Sequence, residues 1–444
     1  MTSNSRPPVP SLEVSSSTST ALLLRILERP GLVAAVRALP GAVLGQLIER
    51  VGLEDAGALV ALASTEQLER IFDADLWRPD RAGGDETFRP ERFALWLRVM
   101  LEAGEAPTVQ RLCELPQDLV ALAVHRLVLV VDIDLLDEQL APGDEEAEAI
   151  AGALENSVCE EWEEFRVIAR DPDAWDDVWC ALIALDRDHH DRLRALFERC
   201  RDLTLEHISG QGGLYQVLTA DEMLDSDVAA ARDDRRVAEG FISPADARAF
   251  LALARQRAGG EERDPITRAY FRGMRETAAP ATARPRGKRR AAEAVRDPRP
   301  DPAGPADVHE LTALLQAAEV IPPSAAQPLA ALTAIAEDPP RGRTTMPAPD
   351  HLVAPLFEQA MRDLRQSNPG RFDERVREVG YLVNVWMAGG AHEGRQPRPA
   401  EALDTVLRTC EAGLESRLTA GNATAADALA VLAQTPADVL FRRR

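Results

Sequence analysis

Acidic and histidine side chains crowd into one short stretch of the chain, at Asp186, Asp188, His189, His190 and Asp191. Carboxylates and imidazoles are metal ligands, and a bound metal ion can activate water for hydrolysis. On a helix, Asp186 shares a face with His189 or His190, whereas the two adjacent histidines point about 100° apart. A metal site here would therefore need further ligands from elsewhere. The sequence favours a solvated helix start, whose acids complement the helix dipole.

Other catalytic signatures each lack a required residue. A phosphate-binding loop ends on a lysine, and the single lysine of the chain, Lys288, lies in an arginine-rich stretch instead. The glycines that begin at Gly210 would need a further glycine where Tyr215 stands. His309 and His392 are each followed by glutamate, as in zinc-protease helices, but neither has the second histidine that such a site requires. We therefore expect no catalytic residues and no cofactor.

Charge is strongly negative overall and unevenly distributed. The formal net charge is −22 at pH 7, and the region from Asp132 to Asp191 holds twenty acidic residues against three arginines. The sign reverses in the proline-rich stretch 279–306, which we interpret as an extended linker. Its candidate partner-binding residues are Arg284, Arg286, Lys288, Arg289 and Arg290. An alternative is that this stretch docks on the acidic region, within one chain or between two copies.

The same arginines could neutralise the phosphates of a nucleic acid. However, the stretch Arg284–Arg290 lacks the interleaved aromatic residues on which bases stack, and it belongs to an acidic protein. Nucleic-acid association through this stretch is therefore a minor alternative.

The elements that position these residues are predicted to be helices. Aromatic residues make up only 5% of the chain, and helix formers dominate. Between Leu39 and Trp77, apolar residues recur at helical spacing in three successive short helices. Gly52 stands where a helix cap belongs, and Ser64 with Gln67 has the pattern of a capping box. We predict a mainly α fold, with stacked short helices in an N-terminal array followed by further irregular helical domains.

Downstream apolar stripes predict further helices, and Ser243 has the side chain of a helix cap. The predicted helices lie at Trp162–Ile168, Trp175–Leu185, Leu193–Leu203, Val308–Ala318, Pro355–Leu364, Phe372–Met387 and Ala400–Leu418. The apolar run Leu119–Leu136 favours a buried helix over a strand, and His125 within it is expected to be a partly buried structural histidine.

Four acids surround Trp162, at Glu160, Glu161, Glu163 and Glu164. This pattern predicts a charged face around one buried aromatic residue. A partner-binding face is the alternative interpretation.

Changes in composition divide the chain into five parts. We predict a disordered tail at 1–20, an N-terminal helical array at 21–140, an acidic helical domain at 141–278, the Arg/Pro-rich linker at 279–306 and a C-terminal helical domain at 307–444. The apolar run near the N-terminus is too short for a signal peptide or a membrane span. The five cysteines form no Cys-x-x-Cys pair, which favours a reduced, cytoplasmic chain.

Two segments have distinctive residue patterns. The first runs from Glu378 to Gly389 and continues through Ala402, Val406, Cys410, Gly413 and Leu414. The second contains Arg232, Arg235 and Arg236, followed by Gly240, Phe241 and Ala247. Together they resemble a large bacterial helical family that is known only as a domain of unknown function. The resemblance covers most of Ala21–Leu418, apart from the linker, and implies no catalytic residues.

Within the first of these segments, Asn384 lies off the apolar stripe of its predicted helix. We expect its side chain to bind a backbone group of a neighbouring segment, with ligand or partner binding as the alternative. Separately, Leu39–Asp75 is similar to the cytosolic helical domain of magnesium transporters, which stacks short acidic helices. This likeness implies stacked helices and no metal role.

These observations predict a cytoplasmic, mainly α protein that acts as a non-catalytic protein-interaction or regulatory scaffold. Its partners are expected to be proteins or a second copy of the chain. The alternatives are a metal-assisted hydrolase that uses Asp186, His189 and His190, and nucleic-acid association through Arg284–Arg290.

Overall fold

The protein is mainly α-helical, as predicted. The computed structural model describes residues 21–28, 31–134, 157–209, 219–256, 263–278, 311, 313–315, 355–418 and 424–442. These residues belong to two compact units. Unit 1 comprises Met1–Trp77, Phe88–Arg232 and Ala294–Ile321, and unit 2 comprises Arg78–Thr87, Asp233–Glu293 and Pro322–Arg444.

Unit 1 begins with a succession of short helices. They are α1 (21–27), α2 (Leu32–Ala38), α3 (Gly41–Val51), a 3-10 turn (Glu54–Ala56), α4 (Gly57–Leu62) and α5 (Thr65–Asp75). The predicted capping box is confirmed, because the Gln67 N–H donates to Ser64 Oγ (3.2 Å) and the Ser64 N–H donates to Gln67 Oε1 (2.9 Å). Gly52 ends α3 with a φ of 100°, a conformation that favours glycine. The predicted series of helices between Leu39 and Trp77 is therefore confirmed.

A small hairpin and three longer helices follow. The hairpin pairs β1 (Trp77–Pro79) with β2 (Glu86–Phe88), and the helices are α6 (Pro90–Ala103), α7 (Glu105–Glu114) and α8 (Gln117–Leu127). The buried ring of Phe72 meets Phe93 and Trp96 edge-on, with ring centroids 6.2 and 5.2 Å apart. Trp96 also donates its indole N–H to the Asp75 carboxylate at 2.6 Å. These contacts join α5 to α6 in the core of unit 1.

The apolar run that includes Leu119 changes from helix to strand at Val128. Helix α8 ends at Leu127, and β3 (Val128–Asp132) follows directly. The prediction of a buried helix through Leu136 is therefore wrong for β3. The cause is tertiary pairing, because the β-branched valines of β3 find a partner strand further along the chain. His125, on α8, is 4% exposed, as predicted.

The helix predicted at Trp162–Ile168 is also wrong. This segment forms β4 (Cys159–Trp162) and β5 (Phe165–Ala169), joined by a turn in which Glu163 has a φ of 50°. Phe165 and Val167 are buried while Arg166 between them is only partly buried, which is the alternation of a strand. The sheet is antiparallel, with β5 in the centre and β3 and β4 at its two sides.

Helix α9 (Trp175–Ser209) joins two predicted helices across a kink. The kink lies at His189, whose φ of −140° and ψ of 46° are not helical. The helices predicted at Trp175–Leu185 and Leu193–Leu203 are confirmed on either side of it. Phe197 of α9 packs edge-on against Trp162 and Phe165, and so α9 packs against the sheet through these aromatic residues. Helix α10 (Ala220–Ala238) follows.

Among the residues that the structure describes, unit 2 contains the end of α10 and seven further helices. They are α11 (Pro244–Arg255), α12 (Pro265–Ala278), α13 (Leu356–Ser367), α14 (Pro369–Gly389), α15 (Pro399–Glu415), α16 (Ala425–Gln434) and α17 (Ala437–Phe441). Ser243 caps α11, since its Oγ accepts the Asp246 N–H at 3.1 Å. Helix α14 is central, and its buried residues Tyr381, Leu382 and Val385 share one core with α11, α13 and α15. The helices predicted around Pro355, Phe372 and Ala400 are confirmed.

The two units differ from the domain boundaries expected from composition. A boundary at residue 140 would separate β3 from β5, yet these strands pair over five residue pairs, from Val128 with Ala169 to Asp132 with Phe165. The predicted tail 1–20 and linker 279–306 lie outside the described residues, as does most of the helix predicted at Val308–Ala318. Residues 311 and 313–315 of that helix are helical.

Within the described residues, no single helix has the length and apolar composition to cross a membrane. Helices α2 (Leu32–Ala38) and α3 (Gly41–Val51) reach that length and composition only when they are counted together, and the chain bends by 115° between them.

Candidate functional site

The acid and histidine cluster forms an ion-pair network on the surface of unit 1. The imidazole of His190 hydrogen-bonds through Nδ1 to Asp186 Oδ1 at 2.8 Å, and its Nε2 lies 3.3 Å from Glu163 Oε1. The hydrogen bond with Asp186 raises the pKa of His190, and the charges of Glu163 and Asp191 add to this effect. The arrangement therefore favours the protonated imidazole.

Of the predicted metal ligands, the structure brings together Asp186 and His190. His189 lies at the kink, so the helical spacing on which its pairing with Asp186 was predicted does not hold there. Among the residues that the structure describes, no group of three or more histidine, cysteine or acidic side chains is arranged to hold a metal ion. The geometry of the described residues therefore gives the metal-assisted hydrolase no support.

The same network fastens the β4–β5 turn to α9. The guanidinium of Arg194 pairs with both Glu163 and Glu164 of the turn, and lies 3.5 Å from Glu198. The ring of His190 lies 5.2 Å from that of Trp162, which is 8% exposed. The prediction of a charged face around one buried aromatic residue is confirmed.

In unit 2, the two segments that carry the sequence resemblance meet at Gly240. The Asn384 side chain donates to the Gly240 carbonyl at 3.0 Å, and the Tyr270 hydroxyl donates to the same oxygen at 2.8 Å. The predicted binding of Asn384 to a backbone group is therefore confirmed. Gly389 faces α11 so closely that a Cβ there would lie 2.9 Å from Ala247, which fixes the spacing of α11 and α14.

Gly240 ends helix α10 in a Schellman motif. Its φ is 90°, its N–H bonds to the Val237 carbonyl at 3.0 Å, and the Phe241 N–H bonds to the Arg236 carbonyl at 3.0 Å. The Arg236 guanidinium lies 5.2 Å from the centre of the Phe241 ring and also pairs with Glu86 at 2.7 Å. This turn presents Val237 and Phe241 to solvent, with 47% and 42% of their surfaces exposed.

Helix α11, which follows in the chain, also exposes apolar residues. Its inner face buries Ala247, Phe250 and Leu251. On the outer side, Ala245, Ala249 and Leu253 are exposed, and their spacing of four residues places them on one helical face. We call Val237, Phe241, Ala245, Ala249 and Leu253 the α11 surface. Sequence periodicity missed it, because a helix with apolar residues on two faces resembles a buried helix.

Buried charges fix the C-terminal helix α17 against the core of unit 2. Glu378, 2% exposed, accepts hydrogen bonds from Arg375 Nη1 at 2.6 Å and from the Ala437 N–H at 2.8 Å. Arg263 pairs with Glu378 and, at 3.2 Å, with the fully buried Asp438. Burial raises the pKa of Asp438, against the lowering effect of the arginines. One sequence signal existed: Arg375 stands three residues after the core residue Phe372 and so shares its helical face.

Two fully buried thiols and one small cavity, all among the described residues, are poorly suited to chemistry. Burial raises the pKa of Cys200 to about 12 and also raises that of Cys410, so both thiols stay protonated and unreactive at neutral pH. An apolar cavity in unit 1, lined by residues such as Phe93, Val124 and Leu182, has a volume of about 10 Å³. That is about the space of one water molecule, too small for an organic ligand. The basic candidates Arg284, Arg286, Lys288, Arg289 and Arg290 lie outside the described residues.

The fold and surfaces define a mainly α-helical protein with a three-stranded antiparallel sheet in unit 1. Residues 11–203 match the model of a family of unknown function, DUF6178. No curated protein and no solved structure matches the chain. The family match agrees with the predicted likeness to a domain of unknown function, but it ends before the segments around Gly240 and Asn384. The predicted similarity to magnesium transporters is not shown by these comparisons.

Proposed function

We propose that this protein is a non-catalytic protein-interaction or regulatory protein, and that the α11 surface is where it contacts a protein partner. The observation that carries the proposal is that α11 is apolar on two sides although it lies at the surface. Its inner side packs on α14, and its outer side exposes Ala245, Ala249 and Leu253.

A surface helix that has already buried one apolar face normally turns polar residues to water. On α11, Asp246 borders the exposed stripe on one side, and Arg248 and Arg255 border it on the other. An apolar stripe with a polar rim has the anatomy of a protein–protein interface.

The surface is also held rigidly. The carbonyl of Gly240 accepts hydrogen bonds from Asn384 and Tyr270, and the close approach of Gly389 to Ala247 fixes α11 on α14. A surface that is rigid before binding loses less conformational entropy in the complex. We include a cytoplasmic location in the proposal, which the odd cysteine count supports.

The test is affinity purification of the full-length protein from its native cell, with quantitative mass spectrometry. Ala249→Arg places a charge in the middle of the α11 surface. Ala195→Arg, at an exposed alanine of α9 in unit 1, is the matched control. We expect at least one protein, or the chain itself, to be retained by the wild type and the control but reduced about tenfold or more by Ala249→Arg, a loss of about 1.4 kcal/mol.

Circular dichroism must first show that both variants fold like the wild type. With folding intact, identical sets of retained proteins in all three preparations would contradict the proposal.

A further inference from the structure

Within the part of the chain that the structure describes, strand β4 of unit 1 has an unpaired backbone edge, and this surface is different from the α11 surface. Its register with β5 pairs Trp162 with Phe165 and Glu160 with Val167 across a two-residue turn, and the Ala169 N–H bonds to the Val158 carbonyl at 2.8 Å. In an antiparallel pair, hydrogen-bonded and non-hydrogen-bonded residues alternate. The backbone N–H and C=O groups of Cys159 and Glu161 therefore point away from β5. No residue that the structure describes pairs with this outer edge.

The side chains along this edge determine whether an acidic or a basic strand can pair with it. Glu160 is exposed, the Glu161 side chain is 58% exposed, and Val158 is 43% exposed. Only Glu161 has a basic partner within the described residues, Arg166. Acidic side chains on an open edge repel another acidic strand and so oppose pairing between copies of β4. The same side chains attract a strand that carries arginine or lysine opposite them.

The edge is fixed before anything binds to it. Trp162 at the end of β4 packs on Phe197 with ring centroids 5.2 Å apart, and the β4–β5 turn is held by Arg194. A strand added to a rigid edge gains its main-chain hydrogen bonds without ordering the receiving strand.

We propose that the outer edge of β4 binds an extended basic peptide segment of a partner protein by strand addition. The main-chain groups of Cys159 and Glu161 supply the hydrogen bonds, and Glu160 and Glu161 select basic side chains. The proposal does not depend on the α11 surface, since the two sites lie in different units.

The experiment uses the full-length protein and a short synthetic peptide in which two adjacent arginines, one for each face of the strand, are flanked by valines. Binding is followed by isothermal titration calorimetry and by hydrogen exchange of the Cys159 and Glu161 amides. Cys159→Pro removes an outward N–H and leaves the hydrogen bonds to β5 in place, because Cys159 is a non-hydrogen-bonded position. Cys159→Val is the matched control, since it keeps the backbone donor and favours a strand.

We expect the wild type and Cys159→Val to bind the peptide and to protect both amides from exchange. Cys159→Pro should weaken binding at least tenfold, and Glu160→Lys should weaken it further as the attraction reverses. A peptide with glutamate in place of arginine should not bind. No binding by the wild type would overturn the proposal. Equal affinity of Cys159→Pro and Cys159→Val would also overturn it, because the contact would then be with surface charges and not with the strand edge.

Discussion

At the scale of single residues, helix α14 contains two arginine–glutamate pairs with the same spacing and opposite environments. Arg375 and Glu378 are both buried, whereas Arg371 and Glu374 lie about half exposed. Burial lowers the pKa of Arg375 to about 10, and the guanidinium remains charged at neutral pH. Solvent screens the charges of Arg371 and Glu374. The charges of Arg375 and Glu378 are shielded from water, so only neighbouring protein groups stabilise them.

Removal of the buried carboxylate is therefore predicted to be costly. Glu378→Ala leaves Arg375 buried without its partner and removes the acceptor of the Ala437 N–H, and should lower the free energy of unfolding by about 3–5 kcal/mol. Glu374→Ala, the matched control, should lower it by no more than about 1 kcal/mol. Urea unfolding followed by circular dichroism measures both. Losses of equal size would show that Glu378 does not hold α17 as described.

His190 gives a prediction about pH. Its hydrogen bond to Asp186 raises its pKa in the folded protein above the unperturbed value of about 6.5. The pair therefore stabilises the fold fully below about pH 6.5, and this contribution is lost as the pH rises through the higher pKa of the folded state. Asp186→Asn should return the pKa of His190 towards its ordinary value, as measured by NMR titration of the imidazole.

Asp188→Asn is the control for this titration, because it also removes one negative charge and lies only two residues from Asp186. It should change the pKa of His190 much less than Asp186→Asn does. If the two variants shift the pKa of His190 equally, then the nearby negative charge, and not the hydrogen bond to Asp186, raises that pKa.

At the scale of elements, α15 and α17 are in direct backbone contact at Gly413. A Cβ at this position would overlap the Leu440 carbonyl, so the two helices can approach this closely only with glycine there. Gly413→Ala should lower the free energy of unfolding by about 1–3 kcal/mol through overpacking. Thermal unfolding measured by circular dichroism tests the size of this loss.

Gly273→Ala is the matched control, because a Cβ at Gly273 of α12 meets no atom within 4 Å. It should stabilise the protein by about 0.4–1 kcal/mol, since alanine loses less chain entropy on folding. A loss of stability in this variant, or none in Gly413→Ala, would contradict the assigned packing.

The elements also show what could be predicted from the sequence. Helix positions were predicted well where an apolar stripe coincided with local capping, as at Ser64 and Ser243. Strand β3 was missed because it pairs with β5, which is distant in the chain. Strands β4 and β5 were missed because both are short and because the turn between them, Glu163 and Glu164, has no glycine or asparagine to indicate a hairpin. Asn384 was predicted to bind a backbone group, but its acceptor, Gly240, lies 144 positions away and only the fold reveals it.

At the scale of the whole molecule, the two proposed interaction surfaces belong to different units. The family match at residues 11–203 includes β4 but not α11. The net charge of −22 gives the chain a field that attracts basic partners. Binding at the acidic β4 edge should therefore weaken as salt is added, whereas binding at the apolar α11 surface should depend little on salt. Titration calorimetry at low and high ionic strength distinguishes the two.

The central claim, that α11 contacts a protein, is tested most directly by site-specific photocrosslinking in the native cell. A photoreactive phenylalanine analogue at Ala249 of the α11 surface is compared with the same analogue at Ala195 of α9, both exposed alanines on helices. We predict a discrete crosslinked product from position 249 that is absent from position 195. No product from position 249, or the same product from both positions, would contradict the claim.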